Sequence, residues 1–176
     1  MPLIFVTGVS GSGKSTVREE LARRGFEAYD TDEDAISQWR HKVTGEITPL
    51  VAEAHRTPQF LAENEWWADP ERLRGLAREA RTRNIFVCGA VTNDDAVLPL
   101  FERVFLLSID EATMRHRLAT RSAHDFGTKP HELEVLLAWG AVIDAHYAGL
   151  GAIVVDAERP LPLVVDEILL ELGGSS

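Results

Sequence analysis

The chain has 176 residues, 45% of them hydrophobic, and a formal net charge of -10, which fits one folded domain with a real core and excludes wholesale disorder. The acidity excludes a general nucleic-acid binder, which needs a basic face, while a local positive site for a small anion stays compatible with it. A single cysteine rules out an internal disulfide, no apolar run approaches the roughly 20 residues of a membrane helix, and M-P-L-I-F-V-T-G lacks the basic start of a signal peptide, so a soluble cytoplasmic protein with no membrane or nucleic-acid partner is expected.

Residues 3–7 predict a buried strand and residues 14–24 a helix closed by Gly25. Between them runs G-V-S-G-S-G-K-S-T, Gly8 to Thr16. Gly8-x-x-x-x-Gly13-Lys14-Ser15 fits the phosphate-binding loop G-x-x-x-x-G-K-[ST]. Gly8, Gly11 and Gly13 let the backbone turn with its N–H groups inward, and those donors cradle phosphates together with the following helix N-terminus. In this motif Lys14 reaches the β- and γ-phosphates, the Ser15 hydroxyl ligates Mg2+, and Thr16 lies beside it near the α-phosphate. The expected nucleotide contacts are Gly8, Ser10, Gly11, Ser12, Gly13, Lys14, Ser15 and Thr16, and ATP is the expected nucleotide. A glycine-rich turn that binds nothing is the plain alternative; a strand before and a helix after argue against it.

Residues 26–29 predict a second strand and residues 32–42 a helix. Tyr29-Asp30-Thr31-Asp32 stands at the end of that strand. Ligands on parallel sheets gather at the carboxyl ends of the strands, so both acids should face the terminal phosphate from the acceptor side. Two carboxylates at i and i+2 can divide metal binding from proton acceptance. The bland alternative makes Asp32 a helix cap and Asp30 a solvated turn residue.

Residues 44–58 are interrupted by Gly45, Pro49 and Pro58, and residues 59–67 read as a short helix. Asp69-Pro70-Glu71 opens a helix running to about residue 83, with Asp as cap and Pro in the first turn. Residues 85–88 are an apolar third strand, Asn93-Asp94-Asp95 opens a short helix, and residues 104–107 are a fourth strand. A helix over 111–121, a polar loop over 122–129, one helix over 130–147, a fifth strand over 152–155 and a helix over 160–172 complete the pattern. Apolar strands alternating with helices predict an α/β fold with a five-stranded parallel sheet covered on both faces.

The phosphate loop followed by Asp-Thr-Asp resembles the small-molecule kinases of the P-loop superfamily, the group around shikimate kinase, gluconate kinase and adenylate kinase, over most of the chain. That resemblance implies a single three-layer P-loop kinase domain. Its core is 1–36, 84–121 and 130–173, with an acceptor-binding helical insertion at 37–83 and a lid at 122–129. It also implies ATP, Mg2+ and a small-molecule acceptor. Arg117-Leu118-x-x-Arg121 resembles the lid-helix arginines of that group, which places Arg117 on the adenine and Arg121 at the transferring phosphoryl group. By spacing alone the same two residues read as an i,i+4 pair on a solvated helix face. Asp156-Ala157-Glu158-Arg159-Pro160 falls at the adenine-holding loop, and the Asp-Thr-Asp match implies Asp30 near Mg2+ and Asp32 at the acceptor hydroxyl. The chain departs from the group in two places. A cysteine, Cys88, stands where adenylate kinases carry an acid, which leaves Mg2+ to Ser15, Asp30, the phosphates and water. Gly89-Ala90-Val91-Thr92-Asn93 replaces the glycine run of shikimate kinases; Gly89 would admit substrate to the strand end, and Asn93 either binds substrate or caps a helix.

Residues 39–67 should form the acceptor pocket, with Trp39, Arg40, His41, Lys42, His55, Arg56, Glu65, Trp66 and Trp67. Flat rings with interleaved charge suit a nucleoside, a nucleotide or another polar ring, and Arg40 or Arg56 would bind an acceptor phosphate or carboxylate. On a helix, Trp66 and Trp67 could not share one pocket. The histidines show no zinc-like spacing, and Cys88 reads as buried and inert. Three functions fit. One is ATP-dependent phosphoryl transfer to a small metabolite, with Asp32 orienting the hydroxyl while Lys14 and Arg121 stabilise charge. The second is a nucleoside or nucleoside-monophosphate kinase. The third is a regulator that binds ATP and transfers nothing. Monomer and homodimer are both open.

Overall fold

The chain is described from a computed structural model over residues 2–48, 55–120, 126–127 and 129–173. β1 (Leu3–Gly8) leads through the glycine loop into α1 (Lys14–Arg23), and β2 (Glu27–Asp30) follows. The chain then leaves the core for β3 (Ser37–His41), β4 (Ile47–Thr48), α2 (Pro58–Glu63) and β5 (Asn64–Ala68), and returns through α3 (Pro70–Glu79) to β6 (Ile85–Cys88). Next come α4 (Asp94–Val97), β7 (Arg103–Ser108), α5 (Glu111–Ala119), α6 (Pro130–Gly140), α7 (Ile143–Gly149), β8 (Ile153–Asp156) and α8 (Leu161–Gly173).

The five core strands pair in parallel in the order β2-β6-β1-β7-β8. This is the α/β parallel-sheet fold that the alternation of apolar runs and helices predicts. Both faces are buried, and β1 divides its side chains between them. Leu3 and Phe5 join one core with Leu73, Leu76, Leu106 and Tyr147; Ile4 and Val6 join the other with Val17, Leu21, Phe105 and Ile168. Each such side chain contributes about 1.5–3 kcal/mol when fully buried. The register sets the site. Asp30 lies opposite Cys88 on β6, and Cys88 lies opposite Val6 on β1. The acid after β2 and the glycine loop after β1 therefore emerge at one edge of the sheet.

The excursion from the core differs from its prediction. Residues 32–42 are not a helix: a turn at 31–35 leads into β3. Ala35 holds φ 52, which stops helical propagation, and the Ile36 and Ser37 N–H groups both return to the Thr31 carbonyl. Residues 59–67 are helical only to Glu63 and then form β5. β4, β3 and β5 make a three-stranded antiparallel sheet, so the expected helical insertion is largely a small sheet. Cross-strand pairing outweighs weak local preference here. The single helix expected over 130–147 breaks at Ala141–Val142 into α6 and α7, and α3 stops at Glu79 rather than residue 83.

Candidate active site

The glycine loop is built to leave donors open. Gly8 has φ 152, and a Cβ there would lie 2.6 Å from both the Leu107 carbonyl and Ser12 Oγ, so only glycine fits. Gly13 occupies the N-cap of α1 at φ 97, with no side-chain cap and no acid in the first turn. By contrast, α2, α3 and α5 start under Thr57, Asp69 and Asp110, whose side chains accept from their own first turns. The N–H groups of the first turn of α1 thus lack the cap that α2, α3 and α5 carry, which leaves them open to an anion. Ser12 Oγ, in the middle of the loop, is buried and has no hydrogen-bond partner among the described residues. Lys14 folds back, its Nζ donating to the Gly8 and Val9 carbonyls at 2.8 Å each.

Across from the loop, the two acids after β2 have separate surroundings. Asp30 is 5% exposed and fully engaged. Its Oδ1 accepts from the Asp32 N–H at 2.8 Å and the Glu33 N–H at 3.3 Å, and its Oδ2 accepts from Ser15 Oγ at 3.3 Å. Asp32 receives Thr31 Oγ1 at 2.9 Å and Trp66 Nε1 at 3.1 Å, both on Oδ1. Among the described residues nothing donates to Oδ2. Although Asp32 as a residue keeps exposed surface, its carboxyl end is set into the cleft against Thr31 and Trp66. The lost hydration raises its pKa, and the Asp30 charge adds to the rise. The Thr31 and Trp66 hydrogen bonds and the Lys14 charge oppose it.

A cleft of about 630 Å³ joins these parts, lined by the loop from Ser10 to Val17, Asp32, Arg117, Phe126, Arg159 and residues of α8. A second cavity of about 620 Å³ opens at the starts of β7 and β8, lined by Asp94, Asp95, Glu102 and Glu171 against one cation, Arg103. Volume does not separate the two, but four carboxylates repel a polyphosphate, and parallel sheets bind ligands at the opposite edge.

The other predicted site residues fall out as follows. Arg117 lines the cleft and ties its two sides, donating to the Gly11 carbonyl at 3.0 Å and the Ala157 carbonyl at 3.1 Å. Arg159 also lines it, braced by Glu167 and the Asp156 carbonyl. Arg121 lies outside the described residues, as do 122–125 and 128 of the expected lid. Ser10 and Thr16 line the cleft. At Gly89 a Cβ would lie 1.8 Å from Thr31 Oγ1, so the absent side chain makes room for Thr31. Asn93 does not cap α4 through its side chain; its amide pins β5, accepting from the Ala68 N–H at 3.0 Å and donating to the Ala68 carbonyl at 2.9 Å. Arg40 is held by Glu65 at 3.0 Å over the Trp67 ring. Strand alternation puts that group on the face of the small sheet opposite Trp39 and Trp66. Arg56 pairs with Glu132 at 3.0 Å beside Phe126. Cys88 is buried, and that burial drives its thiol pKa upward, as expected of an inert cysteine.

Sequence reasoning put Trp66 in the acceptor region but missed its bond to Asp32, which the pairing of β5 with β3 makes possible, and it missed Thr31 and Glu132. Thr31 reads as a spacer between two acids. Glu132 reads as an ordinary first-turn acid of α6, yet it is fully buried and accepts from Arg56 Nε and, at 2.9 Å, from the Gly127 N–H. The Glu132 contacts are long-range or loop contacts with no local signature. Among the described residues, no helix is long and apolar enough to cross a membrane, and no three His, Cys, Asp or Glu side chains group to hold a metal.

A family model described as AAA domain matches residues 4–136. Among solved structures, the chain is similar to shikimate kinase from Acinetobacter baumannii in complex with shikimate, at 16% identity and TM-score 0.62, over 99% of this chain and 95% of that one. It is similar to shikimate kinase from Aquifex aeolicus at 24% identity and TM-score 0.61, over 98% and 96% of the two chains. It is also similar to deoxyadenosine kinase from M. mycoides with products dCMP and dCDP bound, at 15% identity and TM-score 0.58, over 99% and 100%. No curated protein matches. The common element is the fold of P-loop kinases.

Proposed function

The chain belongs to the AAA domain family, and from that premise we propose that it is an ATP-dependent phosphotransferase moving the γ-phosphoryl group to a hydroxyl of a small metabolite. The observation that carries this reading is Asp32. Both of its donors bind Oδ1, Oδ2 has no partner among the described residues, and the group lines the same cleft as the phosphate loop. A carboxylate oxygen kept open beside a phosphate site suits an acceptor for a hydroxyl proton.

The bond changes assign the roles. The acceptor oxygen bonds to the γ-phosphorus as the bond from that phosphorus to the β–γ bridging oxygen breaks. The hydroxyl proton passes to Asp32 Oδ2, and ADP leaves. The loop N–H groups and Lys14 stabilise charge on the phosphates, and by resemblance Arg121 does so at the transferring group. Ser15 and Asp30 fit Mg2+, because a hydroxyl and a carboxylate oxygen 3.3 Å apart are hard oxygen donors. A metal held there would supply positive charge to offset that of the phosphates. Arg117 and Arg159 border the nucleotide end of the cleft, where an adenine would lie.

The test is ADP release across sugars, nucleosides, nucleotides and polyol acids, with Lys14→Ala as blank. A metabolite-stimulated rate that Asp32→Asn removes while ATP affinity is kept is the expected result. Slow ATP turnover indifferent to every metabolite and to Asp32→Asn would instead mark a regulator that binds nucleotide and transfers nothing.

A further inference from the structure

Beside Asp32 lies a cluster of four rings, one of which lines the cleft. Trp66, which donates to Asp32, meets Trp39 with centroids 5.1 Å apart. Trp39 meets Phe60 at 5.1 Å and Phe126 at 6.5 Å, and Phe126 lines the phosphate cleft. All four rings are half-buried, so each keeps surface open. They come from β3, α2, β5 and the 126–127 segment and form one cluster, which meets the Asp32 carboxylate through Trp66.

The cations of the same region are turned to other partners. Residues 37–68 contain three, Arg40, Lys42 and Arg56. Arg40 is with Glu65 on the opposite face of the small sheet. Lys42 Nζ donates to the Ala62 carbonyl at 2.7 Å and the Leu61 carbonyl at 3.4 Å. Arg56 is 13% exposed and paired with the fully buried Glu132. A guanidinium so held is expensive to release, because its removal leaves a buried charge uncompensated. His41 is occupied as well, its Nδ1 accepting from the Val43 and Thr44 N–H groups at 3.2 and 3.1 Å. Residues 49–54, Pro-Leu-Val-Ala-Glu-Ala, add no cation. The turn that presents Asp32 is itself acidic, with Asp30, Glu33 and Asp34 around it, and Arg18, the cation beside it, is paired with Glu33 at 2.6 Å. An anionic acceptor would meet net negative charge there and, among the described residues of 37–68, no arginine or lysine turned toward Asp32.

We propose that the acceptor is an uncharged alcohol with a flat or apolar ring face, bound against Trp39 and Trp66 with its hydroxyl at Asp32, and that phosphate- or carboxylate-bearing acceptors are excluded. This rests on the phosphotransferase reading. It separates the chain from any kinase that grips its acceptor through a paired carboxylate and arginine.

The experiment uses the full chain and matched probes. Adenosine, cytidine and glucose form the neutral arm; AMP, CMP, gluconate and shikimate form the anionic arm. Lys14-dependent ADP release and quenching of tryptophan fluorescence are measured for each. A neutral compound should show saturable quenching and the higher kcat/KM, with the nucleosides and glucose telling a base from a pyranose face. Trp39→Ala should raise KM by about 10- to 100-fold with a smaller change in kcat, the range measured for a ring stacked on an aromatic side chain. Trp39→Phe, which keeps a ring and the fold, should restore most of the affinity. A better rate or quench from the anionic arm overturns the inference, and so does an unchanged KM in both variants. Absence of Lys14-dependent ADP release from every probe defeats the phosphotransferase reading instead. The quench titration then still decides the acceptor chemistry, and quenching by anions alone, or by nothing, counts against it.

Discussion

The two halves of the cleft are built on different principles. The phosphate half is contiguous: Gly8 to Thr16 supply it in one stretch, and the strand and helix around it aim its N–H groups. The acceptor half is assembled: Asp32, Trp39, Phe60, Trp66 and Phe126 come from separate elements and meet through a sheet that is not part of the core. A contiguous site is robust to drift elsewhere in the chain, because its geometry is local. An assembled site can change its ligand when one strand, helix or loop changes. The contrast explains how one phosphate-handling edge can serve many acceptors.

If the halves are independent in this way, acceptor-side changes should alter turnover and spare nucleotide binding. Asp32→Asn is the largest expected effect. Loss of a positioned proton acceptor costs about 10²- to 10⁴-fold in kcat, with ATP affinity kept. Its effect on stability should go the other way. Asp32 has its pKa raised in the fold, so the folded chain holds the protonated form more tightly than the unfolded chain does. The contribution is present below the ordinary carboxylate range and is lost as pH rises through the raised value. Asn should therefore leave Tm equal or higher at pH 7, with the difference closing at low pH. Thermal scans at several pH values check this, and a large fall in Tm at neutral pH would break the assignment.

Glu132→Ala comes next and tests whether the assembled half is held by its buried pair. Removing one partner of a buried ion pair costs about 3–5 kcal/mol, and here the Gly127 N–H loses its acceptor as well. Glu132→Ala with Arg56→Met should recover part of that loss, because no charge is then left alone. Denaturant unfolding of the two variants gives the comparison. Near-wild-type stability for Glu132→Ala would show that the pair is solvated.

Gly89→Ala is smaller and more local. Its Cβ falls 1.8 Å from Thr31 Oγ1 and 2.6 Å from Thr31 Cβ, so Thr31 must move. Overpacking of this kind costs about 1–3 kcal/mol. Thr31 also donates to Asp32, so kcat should fall along with Tm while ATP affinity holds. Calorimetry beside initial rates checks both. Unchanged kcat would mean that Asp32 is placed without Thr31.

The same contrast accounts for what could be read from the amino acids alone. Strands buried on both faces are uninterrupted apolar runs, and 85–88, 104–107 and 152–155 announce themselves within a residue or two of the observed limits. The phosphate loop is legible because its conformation is written in three glycines at fixed spacing. Ser37-Gln38-Trp39-Arg40-His41 is harder. Only five residues long and polar at every position but Trp39, it follows an acid that looks like a helix cap. What makes it a strand is β5, more than twenty residues later in the chain, and no local pattern carries that information. Glu132 is hidden for the same reason, since Arg56 lies 76 residues away.

The smallest expected effect probes the hydrogen bond that links the small sheet to the carboxylate proposed as proton acceptor. Trp66 Nε1 donates to Asp32 Oδ1 at 3.1 Å, and that bond favours the ionised acid against the desolvation that raises its pKa. Trp66→Phe keeps a ring on β5 and removes only the N–H. The pKa of Asp32 should then rise further, and the acid limb of the kcat/KM profile should move to higher pH. Well above that limb Asp32 is ionised in both proteins, so the rates should converge. A rate deficit that persists at alkaline pH would mean that Trp66 serves as a wall for the acceptor more than as a donor to the acid. A profile that does not move would mean that Thr31 alone holds Oδ1, and the small sheet would then touch the reaction only through its rings.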